Sequence, residues 1–456
     1  MASEHYDVLV IGGGTAGLVA AKRAAGGRRK VAIVERDRLG GECLWTGCIP
    51  AKTLLNSASV YRTIQKAQDY GLPADNEPLN WPDVVRAKDE VVARIAREDG
   101  EKALASADVA FLRGSAAFLS QHEVLVQGGV LTADQVVVAT GSRQAEPRGL
   151  PGLLEAGYIT HVQAVSLPLL PRRLAVIGAG PVGVEFAQLF SRLGSRVTLL
   201  ERSDQILSQE DPEIAHYLER LLREEGLSIV HGCTVQAARA TRSGKVLEIR
   251  REDRDEELLV DEILLATGRA PNVEQLNLAA AGVETDQRGI KVDYYLRTSA
   301  PNIYACGDVS GEFLFSHVAE YQARLVAQNI LLPGAPRMAD YSVVPWATFS
   351  DPEVGHVGLT ESQALAAGHS IKVERFLLAN LDRALTLRQG RGLVKVIAEA
   401  HSGRILGAHI VGPGASNIIH EYVLAMRAGI PLPEIADTIH AYPTLSEAVR
   451  EAAAKF

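Results

Sequence analysis

The chain has 456 residues, with 47 basic and 55 acidic side chains and a net charge of −8. That length exceeds what one hydrophobic core serves, and the acidic balance excludes a general binder of nucleic acid or anionic membrane. Four cysteines are too few for a disulfide framework, and no apolar run approaches the ~18 residues of a membrane-spanning helix. The N-terminal residues, Met1 to Asp7, carry acids where a signal peptide needs a basic start, so a cytoplasmic location is expected.

In chain order, DVLVIGGGTAG (Asp7 to Gly17) is an apolar strand that turns through Gly12, Gly14 and Gly17 into a helix, and VAIVE follows, ending at Glu35. A segment with two cysteines comes next, GGECLWTGCIPAK (Gly40 to Lys52). Trp81 to Glu98 places Val84, Val85, Val91, Val92 and Ile95 at helical spacing among charges, which predicts an amphipathic helix without chemistry. LAVIGAGPVG (Leu174 to Gly183) repeats the first pattern through Gly178, Gly180 and Gly183, and VTLLE closes it at Glu201. Glu248 to Glu262 predicts an edge hairpin. QVVVATGS (Gln135 to Ser142) and EILLATGR (Glu262 to Arg269) predict two further apolar strands, each running into Ala-Thr-Gly, that return the chain from one domain to the next. TSAPNIYACGD ends a strand at Gly307-Asp308, where a carboxylate can accept a hydrogen bond from a ligand hydroxyl. Beyond Tyr341 strands are followed by helices, which marks a separate α+β domain.

In both units the acid stands 23 positions after the first glycine. The first glycine permits the tight turn, the second lets a pyrophosphate approach the backbone, and the third lets helix and strand pack closely. Amides at the helix N-terminus bind the pyrophosphate, and the acid accepts ribose hydroxyls. Two such sites imply two nucleotide cofactors and electron transfer between them.

Cys43 and Cys48 are five positions apart. In an ideal helix that spacing separates Cα atoms by about 8.7 Å, whereas a disulfide needs them within roughly 7 Å. A bond between them therefore demands a distorted helix start, which Gly47 and Pro50 suit. A redox pair, half of a zinc site and two packed thiols are the alternatives. Zinc asks for further ligands at suitable spacing, whereas Cys233 and Cys306 are single and lie in strand-like segments, so no residue is assigned to a metal.

GGECLWTGCIPAK, the two glycine motifs, the Ala-Thr-Gly strands and Gly307-Asp308 together resemble the flavoprotein disulfide reductases, which include dihydrolipoamide dehydrogenase, glutathione reductase and mercuric reductase. The resemblance runs in order along nearly the whole chain. It implies an α/β fold of two Rossmann-like domains, one for FAD and one for NAD, plus a C-terminal α+β dimerisation domain in a homodimer. The expected divisions are 1–145 and 271–340 for FAD, 146–270 for NAD and 341–456 for dimerisation. Carried over by position, Cys48 would be the thiol against the flavin, Cys43 would exchange with substrate, and Lys52 would lie near flavin N5 and pair with Glu185. FAD contacts would extend to Gly114, Thr140, Gly141, Ser142, Asp308, Ser316 and His317, and NAD contacts to Val235 and Gly268.

Glu201 at the second ribose position favours NAD over NADP, although Arg202 beside it can accommodate a phosphate. In HAYPTLSE the resemblance implies a proton-shuttling His before Pro443, oriented by Glu447. Tyr442 stands there instead, with His440 two residues earlier. A tyrosine titrates near ~10 and a histidine near about 6.5, so Tyr442 is a poor base at neutral pH. It can instead donate a hydrogen bond or contact a metal substrate, and His440 is a substitute base. The chain also lacks any cysteine after Cys306, where mercuric reductases end in a metal-delivering pair. Trp45 between the cysteines either narrows access, stacks on substrate or packs. The nearest expected activity is dihydrolipoamide-type electron transfer between NAD(H) and a small or protein-bound dithiol through FAD and the Cys43–Cys48 pair. A mercuric-reductase-like enzyme without terminal cysteines and an NADH:quinone diaphorase are the alternatives.

Overall fold

The computed structural model describes residues 4–73, 77–147, 149–252 and 254–456. The chain forms two compact units: Met1–Thr53, Val85–Glu146 and Gly268–Asp340 in the first, and Leu54–Val84, Pro147–Thr267 and Tyr341–Phe456 in the second.

The first unit is built on the predicted strand Glu4–Ile11. It pairs in parallel with Val31–Glu35 on one side and Gly129–Val138 on the other, while Val109–Arg113 and Ile303–Ala305 extend the parallel set. Two short antiparallel strands, Ala116–Phe118 and Glu123–Val126, complete the sheet. Val8 to Ile11 and Val31 to Val34 are buried without alternation, as expected of parallel strands covered on both faces. Helix Thr15–Gly26 makes the first crossover and packs against helix Ser316–Leu331.

The second unit contains a smaller parallel sheet, ordered Ser228–Val230, Arg196–Leu200, Arg173–Ile177, Glu262–Leu265. Helix Pro181–Arg192 crosses between its first two strands in sequence and buries Val184, Phe186, Leu189 and Phe190. The expected hairpin is present as Gly244–Arg251 and Arg254–Val260, with Cys233–Thr241 added as a third strand. The charged segment at Trp81 forms the helix Trp81–Ala96, which from Val85 onward belongs to the first unit.

The C-terminal part of this unit is a five-stranded antiparallel sheet, ordered Pro345–Thr348, Glu353–Gly358, Ile405–Gly412, Leu393–Glu399, Ile371–Leu377. Helices Ala415–Ala428 and Glu447–Ala453 pack on it. Its register sets Trp346, His356, His409, Lys395 and Arg375 directly opposite one another across successive strands. They therefore form one polar row on one face of the sheet. The architecture is two Rossmann-like α/β domains and a C-terminal α+β domain. Among the described residues, no helix is long and apolar enough to cross a membrane.

The third glycine of each nucleotide unit is sterically fixed. A Cβ on Gly17 would stand 1.8 Å from the Gly12 carbonyl oxygen, and one on Gly183 would stand 1.8 Å from that of Gly178. Gly183→Ala is expected to cost at least about 1–3 kcal/mol, as for an overpacked contact. Gly26→Ala, whose Cβ meets nothing within 4 Å, should stabilise by about 0.4–1 kcal/mol. Thermal midpoints of both variants check this, and a Gly183→Ala midpoint at or above the parent's contradicts the packing.

Candidate active site

In both nucleotide units the closing carboxylate reaches back to its own glycine loop. Glu35 accepts the amides of Gly13 and Asp37, each at 2.7 Å. Glu201 repeats this with Ala179 at 2.7 Å and Ser203 at 2.8 Å. The first glycines, Gly12 at φ +106° and Gly178 at φ +99°, occupy left-handed backbone space. Helices Thr15–Gly26 and Pro181–Arg192 start from Gly14 and Gly180 with no side-chain cap, which leaves their first-turn amides for an anion. A Cβ on Gly180 would meet nothing within 4 Å, and one on Gly14 only the Gly41 Cα at 3.8 Å. Open backbone, uncapped amides and a preset carboxylate fit the pyrophosphate and ribose of FAD in the first unit and of the nicotinamide cofactor in the second. Val235 lies on strand Cys233–Thr241, where the pairing register shifts before Ala237.

The cysteine segment is fastened to the first of these loops. The Gly40 amide donates to the Gly13 carbonyl at 2.8 Å, and a Cβ on Gly41 would stand 2.7 Å from the Gly14 Cα. The segment is two helices, Gly41–Trp45 and Cys48–Gln65, so the two cysteines do not share a continuous helix. Thr46 and Gly47 both donate to the Glu42 carbonyl, at 2.9 and 2.6 Å. Both cysteine side chains are partly exposed. Cys48 Sγ lies 3.5 Å from the Ser316 hydroxyl at the start of helix Ser316–Leu331. The neighbouring Cys48, and burial after it, push the Cys43 thiol well above the ordinary cysteine range, while Ser316 pulls it down. The pair accordingly keeps a proton on Cys43 when Cys48 ionises, and a Cys48 thiolate benefits from the helix N-terminus. Lys52 follows Cys48 one turn later on the same helix. Cys306 is fully buried and pushed up to about 12 by that burial, which leaves it inert.

A polar network ties the returning strand to this segment. Arg269 donates to Ser142 Oγ at 2.7 Å and pairs with Glu42 at 2.7 Å, and Ser142 donates to Asp308 at 2.5 Å. Burial pushes the Asp308 carboxyl up, against the pull of Ser142 and Arg269. Asn272 brackets the Thr140-Gly141 turn, donating to the Thr140 carbonyl and the Gly141 carbonyl at 2.9 Å each. Gly114, at φ +154°, donates to the Glu35 carbonyl at 2.9 Å. Gly268, at φ +116°, accepts the Ala145 amide at 3.1 Å. His317 stacks on Phe315 with ring centres 5.3 Å apart.

In the second unit Glu185 is buried and accepts the Phe349 amide at 2.9 Å. His440 is held at both nitrogens, 2.9 Å from Glu421 and 2.9 Å from the Thr438 carbonyl. The exposed Tyr442 hydroxyl donates to Asp382 at 2.8 Å, and that carboxylate pushes the phenol above its ordinary value. Glu447 is buried and accepts the Thr444 amide at 3.0 Å.

Residues 6–323 match the family model of the pyridine nucleotide-disulphide oxidoreductases, and residues 344–453 match the dimerisation domain of the same family. The chain belongs to this family. It is 38% identical to a mercuric reductase of Streptomyces lividans, over 99% of this chain and 96% of the relative. It is 35% identical to a dihydrolipoyl dehydrogenase of Chlamydia pneumoniae, over 99% and 97% respectively. Among solved structures, the HOCl-induced flavoprotein disulfide reductase RclA from Escherichia coli superposes with a TM-score of 0.89 at 29% identity, covering 98% of this chain and 99% of that one. The Cu(II) complex of its C43S mutant gives a TM-score of 0.90 at 29% identity, with 99% of each chain covered.

As a pyridine nucleotide-disulphide oxidoreductase, the protein is an FAD- and NAD(P)H-dependent enzyme with a redox-active cysteine pair. The first unit brings together most of the residues expected for FAD and the dithiol. Ser316, expected at the flavin, is also a direct neighbour of Cys48. Trp45 packs locally: its indole donates to the Leu39 carbonyl at 2.7 Å and its ring lies 4.3 Å from the Arg38 guanidinium. Sequence reading missed Glu42, Arg269 and Asn272. The available signal was a charge or amide set inside or just after a glycine-rich segment, where solvation alone gives no reason for it.

Removing the sulfur that raises Cys43 tests the thiol assignment. In the reduced protein, Cys48→Ala is expected to move the midpoint of Cys43 alkylation by iodoacetamide to lower pH, followed by mass spectrometry. An unchanged or higher midpoint would contradict the coupling.

Proposed function

We propose that this enzyme is a reductase of a thiophilic divalent metal ion of the Hg(II) class, using NADH as electron donor. The observation that carries the proposal is Tyr442. A dithiol-oxidising enzyme needs a base near neutral pH to take the substrate's proton, and Tyr442 is instead a phenol raised further by Asp382. His440, the substitute base, is engaged with Glu421 and the Thr438 carbonyl. A metal ion needs no such base, because it displaces thiol protons itself. Mercuric reductases among the relatives, and the Cu(II) complex of the E. coli structural neighbour, support this direction.

Gly12, Gly14, Gly17, Glu35 and the Ser142–Asp308 pair would hold FAD, which when bound would supply the relay between a two-electron hydride and the sulfurs. Cys43, partly exposed, meets the ion first, and Cys48 completes a two-sulfur site, with two protons released. One electron pair from NADH then takes the ion from the +2 to the 0 state, and the sulfurs recover their protons. The sum is NADH plus M(II) giving NAD⁺, H⁺ and M(0), which balances. Lys52, one turn after Cys48, is proposed to lie near flavin N5. A second copy of the chain is proposed to complete the enzyme through the dimerisation domain, with Glu447 fixing the Thr444 turn that follows Tyr442.

Glu201 favours NAD. Its carboxylate is already fixed by two loop amides at the ribose position, where it accepts a 2′-hydroxyl and repels a 2′-phosphate. NADH is expected to exceed NADPH in kcat/KM by at least about tenfold, with the ratio falling in Glu201→Ala; equal values for the two coenzymes would sink the assignment.

Cys48→Ser is expected to cut Hg(II)-dependent NADH oxidation by at least about 100-fold while direct reduction of quinones persists. Undiminished Hg(II) turnover would rule out the dithiol route. Tyr442→His should raise dihydrolipoamide oxidation, measured as NADH formation against pH. A parent enzyme already oxidising dihydrolipoamide efficiently at neutral pH would overturn the Tyr442 argument.

A further inference from the structure

Glu210, His356 and His409 lie in the second unit, separate from the cysteine pair in sequence and function, and are 4, 1 and 0% exposed. His356 Nε2 faces the Gly358 carbonyl at 3.0 Å, and His409 Nε2 faces the Leu359 carbonyl at 3.0 Å. A carbonyl only accepts, so each Nε2 carries a proton, and a neutral ring then presents a bare lone pair at Nδ1. Those two lone pairs converge: the Nδ1 atoms are 3.2 Å apart, and His356 Nδ1 is 2.9 Å from Glu210 Oε2. Three acceptors thus meet at one buried point, and a cation must join them.

We propose that Glu210, His356 and His409 form a binding site for one transition-metal dication of the Zn(II) class.

Zinc bonds to nitrogen and oxygen are about 2.0–2.1 Å long, and a tetrahedron of that size has edges near 3.3–3.4 Å. The observed separations of 2.9 and 3.2 Å are within about 0.5 Å of such edges, and all three ligand atoms lie within 4.8 Å of one another. The outer partners are also in place. Each ligand histidine has its other nitrogen on a backbone carbonyl, and Trp346 Nε1 donates to Glu210 Oε1 at 2.7 Å, which leaves Oε2 for the metal. The Trp346 ring covers His356 with centres 3.6 Å apart.

The surrounding charge suits a dication. Asp211, Glu213 and Glu361 pair with Lys395 and Arg375 beside the histidines. With Glu210 that makes four carboxylates against two cations, an excess of two negative charges. Because the ligands are buried, the ion enters as the loop before helix Pro212–Glu224 folds onto the sheet, rather than through an open channel.

The test uses the full-length, FAD-loaded protein carrying Cys43→Ser and Cys48→Ser, which removes the dithiol as a competing ligand. It is expressed with added Zn(II), washed with EDTA and analysed by elemental mass spectrometry. About one zinc per chain is expected, with a loss of at least about tenfold in His409→Gln and Glu210→Gln, the FAD-to-protein ratio confirming folding. Should those variants not fold, Trp346→Phe keeps all three ligands and is expected to weaken zinc binding about 10- to 100-fold. Under 0.1 zinc per chain in the parent, the result if the three groups share only a proton, overturns the proposal. So does zinc content or affinity that is unchanged in every folded variant.

Discussion

A Cβ on Gly47 would stand 3.0 Å from the Glu42 carbonyl oxygen and 3.3 Å from the Cys43 Cα, and the chemistry of the first unit depends on that close approach. With only hydrogen at this position, the chain can end one helix at Trp45 and start the next at Cys48. The second helix then starts beside Ser316, and the first stays tied to the phosphate loop through Gly40 and Gly41. A continuous helix would have held the thiols apart by its own geometry. The positions of both thiols follow from this one interruption.

What could be read from the sequence was local. Strand, glycine loop, helix and acid are set by hydrophobic pattern and by glycines with separate steric duties, and the matched hydrogen bonds of Glu35 and Glu201 agree with the equal spacing of both units. The break between Cys43 and Cys48 was also legible, because a disulfide and an ideal helix make incompatible demands. Side-chain partnerships between distant segments were not. Arg269 meets Glu42 from 227 positions away, as 269 minus 42, and Tyr442 meets Asp382 across 60. The row from Trp346 through His409 to Arg375 depends on strand register, which no single segment specifies. Of the three readings open for Trp45, packing is the one its contacts with Leu39 and Arg38 match.

The two halves of the substrate question rest on different physics. Sulfur pairs accept soft ions and disulfides alike, so the Cys43–Cys48 geometry separates neither. Proton management does separate them, because a dithiol gives up protons only to a group that titrates near the working pH. Tyr442 and His440 have both been drawn into hydrogen bonds with carboxylates of their own chain.

The glycine loops have a further consequence for timing. Each is shaped by its own carboxylate, through bonds internal to the loop, so neither has to be ordered by a nucleotide. The same mould therefore serves a resident and a visitor. What differs is the number of other segments that converge. The first loop touches the Gly40–Gly41 turn, and its unit adds the Ser142–Asp308 pair, the Thr140–Gly141 turn and helix Ser316–Leu331. The second loop is met by the Leu207 amide at the Ala179 carbonyl, and its N-cap glycine, Gly180, faces open space. Dwell time, rather than shape, then distinguishes the prosthetic group from the coenzyme, and it is set by residues outside the motif by which both are recognised.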